Sequence, residues 1–370
     1  MAGGTRGAAV SGWVVHQYHP CARPGDAVTQ HMLLLRDCLR AAGIEGTVFA
    51  PDCDAREALG IENPSPGGLR RADLILLHHS TGNPELEKVL LLRRPIALVY
   101  HNITPGGFFR HDPVLAGLAH LGRSQLERLR DRVRFTLTVS DYNARELSAL
   151  GFRDVRLVPL LDLAASRTEF PEHGHEPSGD LLFVGRVTPH KSQDLLVRVL
   201  FHLAREHGKR FRLVLVGSRD PVYADYVSLV ARSLGVRDSL CMNGAVDAAT
   251  LDLHYRHSAA FLCVSRHEGF CIPLVEAMKA RLPVFALART GVASTLGRAG
   301  IQLGTLEPHQ IATIVAETLS DGPACGEIVA GQDQRLAELG EFQCARVMVE
   351  TVTACLNDLA AARPRPEAFA

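Results

Sequence analysis

The chain has 370 residues, 40 Lys+Arg against 40 Asp+Glu, a formal net charge of zero with histidine neutral, and 46% hydrophobic residues. That length is long for one core and fits two domains. The composition excludes disorder over most of the chain, and the charge balance gives no long-range pull on nucleic acid, so no nucleic-acid partner is expected.

No apolar run reaches the ~20 residues that a membrane-spanning helix needs. The apolar stretch after Ala9 is broken by Ser11, Gly12, His16 and Gln17, which makes a poor signal peptide. Nine cysteines stand at irregular spacing without a C-x-x-C. An odd, unpatterned set argues against a disulfide framework or zinc knuckle and fits small buried hydrophobes in a reducing cytoplasm.

In chain order, short apolar runs alternate with longer amphipathic ones. Strands are expected at Trp13–Tyr18, Thr47–Ala50, Ala72–His79, Ile96–His101, Phe135–Ser140 and Val155–Leu160. They barely alternate, as strands buried on both faces should. Helices fit at Val28–Ala42, Glu85–Leu92, Val114–Arg130 and Tyr142–Leu150, and Gly43 and Gly151 stand where left-handed helix stops belong. Residues 166–180 are polar, hold two Pro and two Gly, and read as a linker between an N-terminal domain, 10–165, and a C-terminal domain, 181–340. The second half repeats the scheme. Its strands are expected at Leu181–Gly185, Arg212–Val216, Leu240–Asn243, Ala260–Val264 and Pro283–Ala286. Its helices are expected at Lys191–His207, Pro221–Leu234, Ala248–His257, Leu274–Ala280 and Pro308–Leu319. A last helix, Phe342–Leu359, lies in a segment 341–362 that is expected to pack back on the N-terminal domain. Strands alternating with helices predict an α/β protein of two Rossmann-like domains with parallel sheets facing across a cleft, where ligands meet the carboxyl ends of the strands.

The sharpest stretch is Arg266–Ala280, RHEGFCIPLVEAMKA. It leaves a buried strand and enters a helix. Gly269 permits close backbone approach, and Pro273 suits a first helical turn. The amides of Phe270, Cys271 and Ile272 would sit at the positive end of the helix dipole, a ready anion site. Glu268 and Glu276 beside an anion site make sense as hydroxyl acceptors, since a carboxylate can clamp vicinal hydroxyls of a ribose or hexose. A second stretch, Phe183–Asp194, turns at Gly185 and carries Arg186 and Lys191 five apart. Two cations near a helix N-terminus suit a diphosphate, and two solvated surface cations remain the alternative.

Gly185-Arg186-x4-Lys191 and Glu268-x7-Glu276 together resemble the retaining, nucleotide-sugar-dependent glycosyltransferases of family 4, which have the GT-B fold. Tyr18-His19-Pro20 and Gly25-Asp26-Ala27-Val28 resemble that family's glycine-rich first loop, and Tyr100 to Pro105 (YHNITP) resembles its cleft histidine segment. Residues 138–143 and 158–159 match as well, so the resemblance spans about residues 12–320. It implies a metal-independent transfer of sugar from a nucleotide diphosphate donor, with no resident cofactor and no bound metal. Arg186 and Lys191 would take the diphosphate, Glu276 the ribose, and Glu268 the donor sugar, with the amides of Phe270, Cys271 and Ile272 nearby. Gly25 would let the first loop approach the donor, and His101 would stand at the reacting centre. The catalytic set is therefore His101, Glu268, Arg186 and Lys191. Two positions depart from the family pattern: Asp26 replaces a second loop glycine, and Gly269-Phe270-Cys271 replaces Gly-Phe-Gly. The resemblance leans toward surface-polysaccharide or lipid-linked glycan acceptors, with small molecules open. A sugar-nucleotide epimerase and a non-catalytic subunit on the same fold are the other readings.

His78 and His79 end the strand before His101, so one of them is expected to line the acceptor side. His16-x2-His19 and His254-x2-His257 have metal-like spacing but no third ligand nearby, and no metal is expected there. Arg123, Arg128, Arg130, Arg132 and Arg134, read as one helix 114–134, form either a solvated face or a patch for peripheral contact with the inner face of an anionic membrane.

Overall fold

The structure, a computed structural model, describes residues 12–160, 179–209, 211–340 and 342–362. Strands are numbered along the chain. β1 (Val15–Tyr18), β3 (Val48–Phe49), β5 (Ile61–Glu62), β6 (Leu74–His79), β7 (Ile96–Tyr100), β8 (Val133–Thr138) and β9 (Val155–Leu157) form one parallel sheet in the order β5-β3-β1-β6-β7-β8-β9. β2 (Cys21–Ala22) and β4 (Asp52–Cys53) pair separately. β10 (Asp180–Val184), β11 (Arg212–Val216), β12 (Leu240–Gly244), β13 (Ala260–Cys263), β14 (Val284–Leu287) and β15 (Ile301–Leu303) form a second parallel sheet in the order β12-β11-β10-β13-β14-β15. Every residue of β6, β7, β13 and β14 is buried, which explains their unbroken apolar runs.

Register places functional side chains at one edge of each sheet. Tyr18 pairs with Leu77 across β1 and β6, and His79 pairs with Tyr100 across β6 and β7. The carboxyl ends of β6 and β7 therefore finish level, and β1 stops two residues short of them. Helices leave that edge with capped starts: Asp26 accepts from Thr29 N at the head of Ala27–Ala41, and Ser140 accepts from Asn143 N at the head of Asp141–Ala149. Asp26 thus serves as an N-cap where the family pattern has glycine.

The C-terminal helix Cys344–Ala361 lies on the N-terminal sheet. Met348, Val352 and Leu356 share one apolar cluster with Val15, Leu35, Leu74 and Val99. A helix that the sequence reading omits, Gly322–Gly340, lies against the C-terminal sheet. Four glycines and weak periodicity hide it. Tertiary contacts hold it instead: fully buried Gln332 accepts from Val284 N and donates to Leu282 O, and Arg335 donates to the carbonyls of Ser294 and Thr295.

Several expectations are corrected. The helix read over 114–134 is Pro113–Arg130; Arg132 follows it and Arg134 lies in β8, so the five arginines share no face. Arg123 pairs with Glu146 and donates to Ile103 O, Arg128 pairs with Glu87, and Arg130 with Asp131. Of the linker read at 166–180, residues 166–178 lie outside the described residues; Asp180 begins β10, where Arg212 binds its carboxylate through two nitrogens at 2.7 Å. Among the described residues, no helix is long and apolar enough to cross a membrane.

Leu356 is fully buried. Leu356→Ala should lower the stability of the N-terminal domain by about 2–5 kcal/mol through lost burial and a residual cavity. Urea unfolding followed by tryptophan fluorescence checks this, because Trp13 packs on the same cluster.

Candidate active site

β13 lies between β10 and β14, so the loop after it emerges at the centre of the carboxyl edge. Glu268 in that loop is 8% exposed. Its amide donates to Thr290 Oγ1 at 2.9 Å, and its carbonyl accepts from Gly291 N at 2.9 Å. With the backbone pinned, the side chain forms a buried ion pair with Lys191, which ends a short turn, Pro189–Lys191, after β10. Burial works against the Lys191 ammonium, but the Glu268 carboxylate outweighs it and holds the lysine above its ordinary pKa. Two residues 77 positions apart thus meet in one place, as a chain that returns twice to the same sheet edge permits.

Helix Ile272–Lys279 starts immediately behind the loop with Pro273 in its first turn. Phe270 is buried and its carbonyl accepts from the Thr295 hydroxyl. Cys271 has φ of 73°, a left-handed conformation that favours glycine, and its Sγ lies 4.0 Å from Cys263 Sγ. Glu276 sits buried one turn in, where Tyr255 donates to it at 2.6 Å. Arg186 is exposed after Gly185, and its carbonyl is held by Gln193 at 3.0 Å. Gly25 is exposed in the first loop with φ of 77°.

The facing edge contributes His101, which follows β7 and is 9% exposed. His78 Nε2 donates to Gln17 Oε1 at 2.8 Å, which leaves His78 Nδ1 to accept from His101 Nε2 at 2.9 Å. His31, from helix Ala27–Ala41, stands edge-on to both rings. Burial, reinforced by the neighbouring imidazoles, pushes His78 and His101 well below their ordinary pKa, and burial alone takes His31 down to about 4. His79 turns away and bonds Gly122 O at 2.9 Å. His16 and His19 do not converge: His16 Nδ1 accepts from Thr47 N, while His19 bonds Cys21 O and Ser80 Oγ. His254 bonds Asn243.

The two edges touch. A Cβ at Gly269 would lie 2.5 Å from His101 O, so only glycine lets the loop reach the other domain. Beside it, His267 Nε2 donates to Asn102 Oδ1 at 2.5 Å, and Asn102 in turn donates to Asn143 and Glu146. Tyr142 N to Ser294 Oγ, at 3.2 Å, and His111 to Asp220, at 2.8 Å, add further bridges. The structure therefore brings Lys191, Glu268, Gly269 and the His101 backbone together. Glu276 lies behind them on the helix, and Arg186 and Gly25 lie in exposed loops. Sequence reasoning missed His267, Tyr255, Thr290 and His31. Their partners lie on separate elements, so spacing carries no signal for them.

Cys263, Glu268 and Cys271 place one potential ligand atom each within 4.8 Å of one another. The Lys191 ammonium already occupies Glu268, and a cation there would face like charge.

Two parallel α/β sheets whose carboxyl edges meet around such a site define the GT-B fold. Solved structures agree: WaaG, a glycosyltransferase involved in lipopolysaccharide biosynthesis, matches with TM-score 0.68 at 13% identity, covering 92% of this chain and 99% of that one. HepE of Anabaena, in complex with UDP-glucose, matches with TM-score 0.69 at 15% identity, covering 93% and 99%. Residues 166–329 match the family profile described as Glycosyl transferases group 1. The D-inositol 3-phosphate glycosyltransferase of Kineococcus radiotolerans is 31% identical over 200 residues, 50% of this chain and 46% of the relative. The GDP-mannose:cellobiosyl-diphosphopolyprenol alpha-mannosyltransferase of Komagataeibacter xylinus is 28% identical over 228 residues, 58% and 56%. The chain spans about half the length of the curated relatives it matches.

Gly269→Ala should push the loop off a backbone carbonyl that cannot rotate aside, at a cost of about 1–3 kcal/mol, read as a lower thermal midpoint. His267 is held down to about 4 by burial, then by Arg123 and Lys191. Its contribution to stability is complete above the unfolded value of 6.5 and is lost as pH falls through 4. Denaturation across that window should therefore show a steeper acid loss in the wild type than in His267→Gln.

Proposed function

We propose that the protein is a retaining glycosyltransferase that moves a sugar from a nucleotide diphosphate donor to a glycan, lipid-linked or small-molecule acceptor. The observation that carries this reading is the meeting of Lys191 with Glu268 at the N-terminus of helix Ile272–Lys279, with Glu276 buried in the same helix. A cation and free helix amides suit a diphosphate; carboxylates suit hydroxyls.

In this reading Arg186, Lys191 and the helix amides neutralise the leaving diphosphate without a divalent ion. Glu276 accepts from the ribose hydroxyls. Glu268 accepts from the sugar hydroxyls, beside the amides of Phe270, Cys271 and Ile272, and Gly25 lets the first loop approach the donor. His101 stands across the cleft at the reacting carbon. The acceptor oxygen attacks the anomeric carbon from the face that the diphosphate leaves. The new C–O bond forms as the bond to the phosphate oxygen breaks, and that oxygen takes the acceptor proton. No protein nucleophile is needed. Similar proteins support donor and acceptor classes of this kind: HepE was solved with UDP-glucose, and the Komagataeibacter relative is named for a polyprenol-linked acceptor. The corresponding place of work is the cytoplasm, at its inner membrane face when the acceptor is lipid-linked.

Lys191→Ala and Arg186→Ala should each lower kcat/KM on the order of 10–1000-fold, because each removes a contact to a group whose charge grows as the bond breaks. Unchanged kinetics in both folded variants would remove the diphosphate assignment. Donor consumption without any acceptor would favour an epimerase, and no turnover of any nucleotide sugar would favour a binding subunit. Glu276→Gln should weaken calorimetric binding of the nucleoside diphosphate, whereas Glu268→Gln should leave it nearly unchanged while slowing turnover of the full donor.

A further inference from the structure

The N-terminal domain carries a cluster that the reading above uses only through His101. His31, His78 and His101 come from helix Ala27–Ala41, the end of β6 and the residue after β7. Each offers one ring nitrogen, and these nitrogens lie within 4.8 Å of one another. All three residues are buried, at 2%, 0% and 9% exposure.

Three buried imidazoles in one place need polar partners, and His31 Nδ1 has none; His101 Nδ1 is also buried without a hydrogen bond, but it is His101 Nε2 that faces His78. Leaving such atoms unpaired is costly. His78 is differently placed. Gln17 Oε1 accepts from its Nε2, and Gln17 is itself fixed by donating to Met32 O at 2.8 Å. That contact locks the tautomer with the Nδ1 lone pair facing His101, which is how a second shell orients a ligating histidine. The 2.9 Å between His78 Nδ1 and His101 Nε2 is near the roughly 3.3 Å that separates two nitrogens on one tetrahedral zinc. The Met348 thioether lies 3.4 Å from His31 Nε2.

We propose that His31, His78 and His101 form a zinc site. Three neutral imidazoles with no carboxylate among them select a borderline transition cation such as Zn2+ over Mg2+ or Ca2+, which take oxygen ligands. On binding, the ion replaces the hydrogen bond between His78 and His101, and the His101 proton moves from Nε2 to Nδ1, which keeps all three imidazoles neutral. The fourth position is filled by water. This inference goes beyond the proposed transfer reaction and does not depend on it, but it shares His101 with that reading: an Nε2 held on an ion does not also face the reacting carbon. It also departs from the expectation of no bound metal, which came from the family resemblance and, for the histidines, from pairs close in sequence.

The test uses the full chain, stripped with chelator and titrated with Zn2+. We expect about one tightly held equivalent per chain by elemental analysis, and Co2+ substitution should give visible d–d bands of a tetrahedral site without thiolate charge transfer. His31→Gln and His78→Gln should each weaken Zn2+ binding at least about 10-fold, and Gln17→Leu should weaken it through the lost second-shell contact. X-ray absorption of the zinc-loaded wild type should report imidazole nitrogens at about 2.0 Å, which keeps the proposal testable should a variant fail to fold. No stoichiometric binding by the folded wild type would overturn it. So would binding that survives both histidine substitutions, or thiolate charge transfer lost in Cys263→Ser, which would assign the metal to the cysteine pair. None of these readouts needs a nucleotide sugar, so failure here leaves the transfer reading untouched, and the reverse also holds.

Discussion

A buried ammonium must have a partner, and in this protein that requirement fixes the geometry of the cleft. Lys191 is withdrawn from water, and Glu268 is the carboxylate that keeps it charged. For Glu268 to reach it, the loop after β13 must be held from both sides, by Thr290 on the side-chain oxygen and by Gly291 on the backbone. That pinning in turn presses Gly269 against the His101 carbonyl of the other domain. One ion pair therefore sets the loop, and the loop sets how closely the two sheets approach.

The polar contacts across the cleft make the same point from the opposite side. Asn102 adopts a left-handed backbone with φ of 79°, which lets its side chain serve His267, Asn143 and Glu146 together. Arg123 closes the arrangement on Glu146. Arg123, read from the sequence as one of five arginines on a helix face, thus joins the polar network behind the site.

Much of the fold was legible because burial writes itself into parallel strands: β6, β7, β13 and β14 are apolar without alternation. The donor-side residues were legible because Glu268, Gly269, Pro273 and Glu276 stand on one continuous loop and helix, where spacing has structural meaning. What was not legible depends on distant partners. Helix Gly322–Gly340 exists through Gln332 and Arg335 rather than through its own periodicity. The helix read to residue 134 was too long: it ends at Arg130, which separates arginines that a longer helix would have aligned. His31 meets His78 and His101 only after three elements have assembled, and no interval along the chain announces that.

The placement of helix Cys344–Ala361 bears on the order in which the protein can be built. Met348, Val352 and Leu356 complete a cluster begun by Val15 and Leu35, so the first domain to leave the ribosome lacks part of its interior until the last helix is made. During that interval apolar surface of the N-terminal sheet stays open to solvent, a condition that invites aggregation. The two halves then mature in inverted order, with the second able to close its core before the first.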